Sequence, residues 1–352
     1  MLNHREWSSK YLFGFGLAVG VLFLVATYFL AMFLGLTLFF FTPEGLAASR
    51  LDLQLFPIML FAVVFFYIPV SINVGLLFSL LWGIYLICFF AAWRYRESLQ
   101  RTVRNVISRS PTDAFKNCLF AMPLISSVVL ISAVLITLLE AASGIHTGEP
   151  PLPEDHFQAF ILLTLAPVVE EIGFRLTPIG TFLVAYLFWF RRLKETPISR
   201  MERLKIYFIA FLYPEKAKRM VGAKNVSDSG VRDGISSGEW LIIVLTSISF
   251  GLAHVLSGGW EIGKVASTSV QGFALGLTYL LYGIQAPILL HWFFNYYAYT
   301  YILSTEVYPA LSPLSSLIDA TTFVFGTLGL LALAVSLASS AKRSRTKRTM
   351  RV

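Results

Sequence analysis

Long apolar stretches alternate with short charged ones along the whole chain. The apolar runs fall at Tyr11–Phe41, Phe56–Trp93, Cys118–Ala142, Phe157–Phe190, Trp240–Leu256, Ala266–Tyr282, Ala286–Leu303 and Leu317–Ser340. A helix needs about 20 apolar residues to cross the hydrocarbon core, so the pattern predicts an all-α, polytopic membrane helical bundle. Two runs, Phe56–Trp93 and Phe157–Phe190, are too long for one upright helix. Pro69 with Asn73 is expected to break the first, and Pro178 the second. Loop charge then fixes the count. The loops Arg94–Lys116 and Arg191–Arg232 are basic, which places them in the cytoplasm, whereas Gly148–His156 has no Lys or Arg and belongs outside. Only one net crossing per long run satisfies these assignments. About eight transmembrane helices are expected, with both termini cytoplasmic and the surplus apolar pieces broken, tilted or interfacial.

Five regions follow. Residues 1–156 hold the N-terminal membrane helices, and 157–190 a membrane segment with an unusual charged motif. Residues 191–239 form a basic cytoplasmic insertion, 240–340 the C-terminal membrane helices, and 341–352 a basic tail. Within the insertion, Leu193–Leu212 mixes Lys and Arg with Ile, Phe and Leu, which suggests an amphipathic helix on the membrane surface. Gly222–Gly238 is rich in Gly, Ser and Asp and reads as a flexible loop. The run that starts at Tyr11 is too long for a signal-peptide core and is expected to stay as the first helix.

Composition narrows the class further. At 56% hydrophobic and 14% charged residues, a soluble domain is excluded. The net charge of +8 sits mainly in the basic loops and the tail, as the positive-inside rule requires, and gives no reason to expect nucleic acid. Cys88 and Cys118 both fall in apolar runs and read as small core hydrophobes.

Against this background the stretch from Val169 to Arg175 (Val-Glu-Glu-Ile-Gly-Phe-Arg) is anomalous. An ionised side chain at mid-membrane costs roughly 2.5–3.5 kcal/mol on insertion scales, so three together need a reason. Glu171 and Arg175 lie one helical turn apart and are able to pair. Glu170 points about 100° away and must find a distant partner. Of five histidines, His4, His146 and His156 lie in tails or loops, whereas His254 and His291 lie in membrane runs, with Asn295 one turn beyond His291. Taken singly, each of these is more often a helix–helix hydrogen bond, worth about 0.6 kcal/mol on average. Taken together, they converge most simply on one polar intramembrane cavity.

Such a cavity holds the parts for peptide hydrolysis without a covalent intermediate. A carboxylate serves as general base, a histidine holds the attacking water, and His and Asn N–H groups stabilise the oxyanion. No His-Glu-x-x-His pattern occurs, and Asp319 is the only aspartate near a late span, so neither that zinc class nor an aspartyl dyad fits. Ser257, followed by two glycines, reads as a turn residue at a helix end.

Glu-Glu-x-x-x-Arg at 170–175, Phe-x-x-x-His at 250–254 and His-x-x-x-Asn at 291–295 resemble, in that order, the CPBP (Abi) family of intramembrane proteases. That family comprises CAAX prenyl endopeptidases of the Ras-converting type and bacteriocin-processing relatives. Gln271–Gly276, with Gly272 and Gly276 on one face for close helix packing, also resembles the family's pattern. The resemblance covers roughly Phe157 to Leu303. It implies that Glu170 activates water together with His254, that His291 and Asn295 form the oxyanion site, and that Glu171 and Arg175 brace it. The implied substrate is a prenylated or membrane-bound protein or peptide that loses its C-terminal tripeptide. No cofactor is expected; zinc stands as the disfavoured option. A non-catalytic scaffold or immunity-type protein and a proton-coupled transporter using Glu170 are the rival readings. Oligomeric state is not legible.

Overall fold

The computed structural model describes residues 2–189 and 199–349, with side chains over 10–189 and 199–339. The long helices are α1 (Leu2–Phe41), α3 (Val74–Arg94), α5 (Cys118–Ala142), α6 (His156–Glu171) running on into α7 (Thr177–Trp189), α11 (Ser237–Leu256), α12 (Lys264–Tyr282), α13 (Gln285–Trp292) running on into α14 (Ala298–Val307), and α15 (Ser312–Thr349). Short helices α2 (Pro43–Ser49), α4 (Leu99–Ser108), α8 (Arg200–Leu212), α9 (Pro214–Met220) and α10 (Val226–Gly234) join them. Among the described residues six helices are long and apolar enough to cross a membrane: Lys10–Phe41, Val74–Arg94, Cys118–Ala142, His156–Trp189, Ser237–Leu256 and Pro309–Ser339. Two of the eight expected spans are not among them. α12 begins with Lys264, Ser267, Thr268 and Ser269, and the last of the pair, Gln285–Val307, is divided by a π-turn.

Local chemistry fixes the helix starts. Asn73, Asn117 and Asp155 accept backbone N–H bonds at the first turns of α3, α5 and α6. Asn117 also reaches back, its amide donating to the carbonyls of Trp93 (2.8 Å) and Glu97 (2.6 Å), which ties the end of α3 to the start of α5. α11 opens with a capping box between Ser236 and Glu239.

The first half of the Phe56–Trp93 run departs from the all-α expectation. It forms an antiparallel hairpin of β1 (Asp52–Leu60) and β2 (Val64–Asn73), and helix begins only at the Asn73 cap. The register pairs Leu55 with Pro69, Pro57 with Tyr67 and Met59 with Phe65. Both prolines fall in one phase of the alternation, where a missing N–H costs no cross-strand bond if the nitrogen faces outward. The turn places Phe61 and Ala62 at φ of 51° and 62°, a left-handed conformation rare outside glycine. β1 lies along the end of α6 and the turn that follows it, with Phe56, Met59 and Ala62 packed on the main apolar cluster.

The insertion is also more ordered than its composition suggests. Residues 190–198, the start of the expected Leu193–Leu212 helix, lie outside the described residues, as do the side chains of the 341–352 tail; α8 covers the rest. The expected Gly222–Gly238 loop instead holds α10. The fully buried Glu215 accepts the N–H groups of Val226 (3.1 Å) and Ser227 (2.7 Å) at its start and pairs with Arg96 at 3.2 Å. At its end Lys218 donates to the carbonyl of Gly234 and to Glu239, which is fully buried at 2.9 Å. Long-range charge pairing thus orders a segment whose local composition favours a loop.

Removing one member of a buried ion pair leaves the other uncompensated and costs about 3–5 kcal/mol. Lys218→Ala is therefore expected to lower the unfolding midpoint of the detergent-purified protein by several degrees, and adding Glu239→Leu to recover part of the loss. A midpoint unchanged by Lys218→Ala would show the pair to be dispensable.

Candidate active site

The polar residues singled out from sequence come together between α6, α11, α12 and α13. Glu171 and Arg175 are fully buried, with the guanidinium Nη1 donating to Glu171 Oε1 at 3.0 Å. The other guanidinium nitrogen, Nη2, donates to the carbonyl of Gly272 on α12 at 3.2 Å. Glycine also lets α12 pack close to α11 here: a Cβ at Gly272 would stand 3.1 Å from the Ser247 backbone and 3.2 Å from the Phe250 ring. His291 places Nδ1 2.8 Å from the same Glu171 oxygen. One carboxylate oxygen therefore ties α6, the following turn and α13 together.

Glu170 faces elsewhere, as its 100° offset requires. Its side chain is about a quarter exposed, and Oε2 lies 3.9 Å from His291 Nε2. Asn295 Nδ2 lies 3.4 Å from that nitrogen. With Nδ1–H committed to Glu171, the other ring nitrogen, Nε2, lies between Glu170 and Asn295. His254 stands one turn from the end of α11, half-buried, with Nδ1 donating to the Phe250 carbonyl at 2.8 Å. Its Nε2 is thereby left free for the cavity, and Glu170 is near enough to act on its charge. The arrangement grades from a dry base, Glu171–Arg175–His291, to an accessible rim of Glu170, His254 and Asn295.

Two features were not legible in the spacing. The first is Phe250, whose ring sits 4.4 Å from the Arg175 guanidinium and meets the rings of His254 (4.8 Å) and His291 (5.8 Å) edge to face. A cation over an aromatic face contributes on the order of 2 kcal/mol when desolvated. The second is a pair of π-turns, Ile172–Leu176 and Phe293–Tyr297, one within the Glu-Glu-x-x-x-Arg motif and one within the His-x-x-x-Asn motif. Such single wide turns break the 3.6-residue phase and recur at functional sites. No composition signal marks them.

Among the described residues no three His, Cys, Asp or Glu side chains are grouped as metal ligands, and Glu171 Oε1 is shared by Arg175 and His291.

Residues 152–297 match the family model of the type II CAAX prenyl endopeptidases, Rce1-like. The match starts just before α6 and ends with the last residue of the second π-turn, so it holds every residue of the polar cluster. This segment is an Rce1-like domain. No curated protein and no solved structure matches the chain. Over these residues the chain is similar to the CAAX-processing type of membrane protease, and six of its helices are apolar enough to cross a membrane. Helices α1–α5, the hairpin, α14 and α15 lie outside it.

Proposed function

We propose that the protein is a glutamate-dependent intramembrane endopeptidase that removes the C-terminal tripeptide from a prenylated membrane-bound substrate. The single observation that carries this reading is the placement of Glu170. It is the one carboxylate of the cluster that is partly exposed and unpaired by arginine, and it stands beside His291, Asn295 and His254. Glu170 takes a proton from a water held by His254, and the water oxygen attacks the scissile carbonyl carbon. Negative charge develops on the carbonyl oxygen, and the Asn295 amide donates to it. His291 Nε2 joins as donor when its ring carries both protons, a charge that Glu171 balances at 2.8 Å. The C–N bond then breaks, and Glu170 returns its proton to the leaving amine. Donors of this kind are worth about 10²–10³ in rate each. No step passes through a metal.

The prenylated substrate is tested with purified wild-type protein and two peptides ending in the same CAAX sequence, one farnesylated. Faster release of the tripeptide from the farnesylated peptide, unaltered by a chelator, is the expected outcome. Equal rates would remove the prenyl group from the reading, cleavage abolished by chelator and restored by zinc would remove the metal-free mechanism, and inactivity on both peptides would favour a scaffold.

The topology belongs to the same proposal: eight crossings, with α12 and α13–α14 added to the six apolar spans. Its support is that Gly148 pairs with Trp260 and His156 meets Glu306 at 3.0 Å at one end of the bundle, whereas the Ile284 N–H donates to Leu212 at the other. Both native cysteines are buried. An impermeant maleimide is expected to label Ser257→Cys on intact cells and Ser229→Cys only after permeabilisation. The reverse pattern would invert the topology.

A further inference from the structure

The π-turn that follows Glu170–Glu171 creates a backbone problem, and the hairpin solves it. Within the turn the Thr177 N–H donates to the carbonyl of Ile172, five residues back. In a regular α-helix that N–H serves the carbonyl of Gly173. After the π shift the next donor in line is residue 178, which is proline and has no N–H. The Gly173 carbonyl is thus left without a backbone donor from its own helix. In a membrane interior an unsatisfied carbonyl costs several kcal/mol.

Two groups fill the gap. The Ala62 N–H, at the tip of the hairpin, donates to the Gly173 carbonyl at 2.9 Å. The Thr177 hydroxyl lies 3.1 Å from the same carbonyl and 3.0 Å from that of Ile172. Its oxygen in turn accepts the Phe61 N–H at 2.8 Å. Phe61 and Ala62 are the two left-handed residues of the hairpin turn. Their strained conformation is what points consecutive N–H groups at the π-turn. Met59 closes the contact by packing its side chain over Gly173.

We infer that Thr177 and the hairpin tip form a clamp that sets the π-turn and, through it, the aim of Glu170 and the Glu171–Arg175 pair. Thr177 is a positioning residue, since it touches neither substrate nor the reacting atoms. Among the described residues its hydroxyl is the side-chain group that uses both donor and acceptor to join the two elements. Loss of the clamp lets the turn relax toward regular helix, which rotates Arg175 relative to Glu171. A displacement of about 1 Å at a catalytic group is enough to cost 10²-fold in rate. The hairpin, outside the Rce1-like domain, becomes a working part of its active site.

The kinetic part rests on the proteolytic reading, so the test carries a second measurement that does not. Thr177→Val keeps the shape of the side chain and removes the hydroxyl, and Thr177→Ser restores it. On the farnesylated CAAX peptide, Thr177→Val is expected to lower kcat about 10- to 100-fold with KM within threefold of wild type, and Thr177→Ser to stay within threefold on both. Amide hydrogen exchange, followed by mass spectrometry on the same samples, is expected to quicken at Phe61–Ala62 in Thr177→Val only. Unchanged kcat in Thr177→Val, an equal loss in Thr177→Ser, or a change confined to KM would overturn the positioning role. Unchanged exchange at Phe61–Ala62 would overturn the clamp even if wild type cleaved nothing, whereas quickened exchange in a wild-type background without proteolysis would remove the function and keep the clamp.

Discussion

Glu170→Gln is expected to lower kcat/KM on a prenylated CAAX peptide by about 10²–10⁴-fold, the range that a positioned general base contributes. The substitution keeps size and hydrogen-bonding capacity and removes only the ability to take a proton. Glu170 is partly exposed and makes no short hydrogen bond to protein, so its loss strands no buried partner. The unfolding midpoint is therefore expected to stay within a few degrees of wild type. A folded Glu170→Gln variant that retained wild-type turnover would transfer the base to another residue, with Glu171 excluded by its burial under Arg175.

Arg175→Met is expected to act on both stability and rate. The side chain fills similar space but leaves the fully buried Glu171 carboxylate without its guanidinium, and leaves the Gly272 carbonyl without a donor. Breaking a buried pair on one side costs about 3–5 kcal/mol. Glu171 also holds His291 by Nδ1, so the loss propagates to His291 and, in the proposed mechanism, to the oxyanion donors. The double variant Arg175→Met, Glu171→Gln removes both charges together and is expected to regain much of the midpoint but little of the activity. Recovery of activity in the double variant would show that the pair only fills space. Midpoints come from thermal unfolding in detergent, and rates from the peptide assay.

The i,i+4 spacing of Glu171 and Arg175 was sufficient to read their pairing from sequence, because one helical turn brings them side by side, whereas their further partners, His291 and the Gly272 carbonyl, lie far along the chain. The His254, His291 and Asn295 set was legible for a different reason: polar residues are rare in membrane runs, so the few present stand out. The structure brings them to one cluster, while their roles in turnover remain the proposal. The hairpin was not legible. A continuous apolar stretch bounded by breakers suits a buried strand or a helix equally, and Phe56–Trp93 contains no polar alternation to separate the two. The π-turns leave no mark in composition, since they depend on where a backbone carbonyl finds its donor. Ordering of 222–238 was hidden because Glu215, Lys218 and Glu239 act across distance, whereas Gly and Ser density reports only local preference.

Phe250 shows how a motif position gains meaning only in three dimensions. In sequence it marks the spacing to His254; in the folded chain its ring touches the cation and both histidines of the site. The Rce1-like match ends at Tyr297, yet α3 and the hairpin outside it line or brace the same centre: Tyr85 on α3 donates to the carbonyl of Thr164 on α6, and Ala62 donates to that of Gly173.

The central claim, proteolysis driven by water that Glu170 activates, is tested most directly by the product masses from one farnesylated CAAX peptide incubated in ¹⁸O-enriched water. Wild type is expected to release the intact tripeptide and to leave a farnesyl-cysteine carboxylate carrying one ¹⁸O, while an equally folded Glu170→Gln sample yields neither. Release of the tripeptide by Glu170→Gln at the wild-type rate, or no tripeptide from folded wild type, would contradict it.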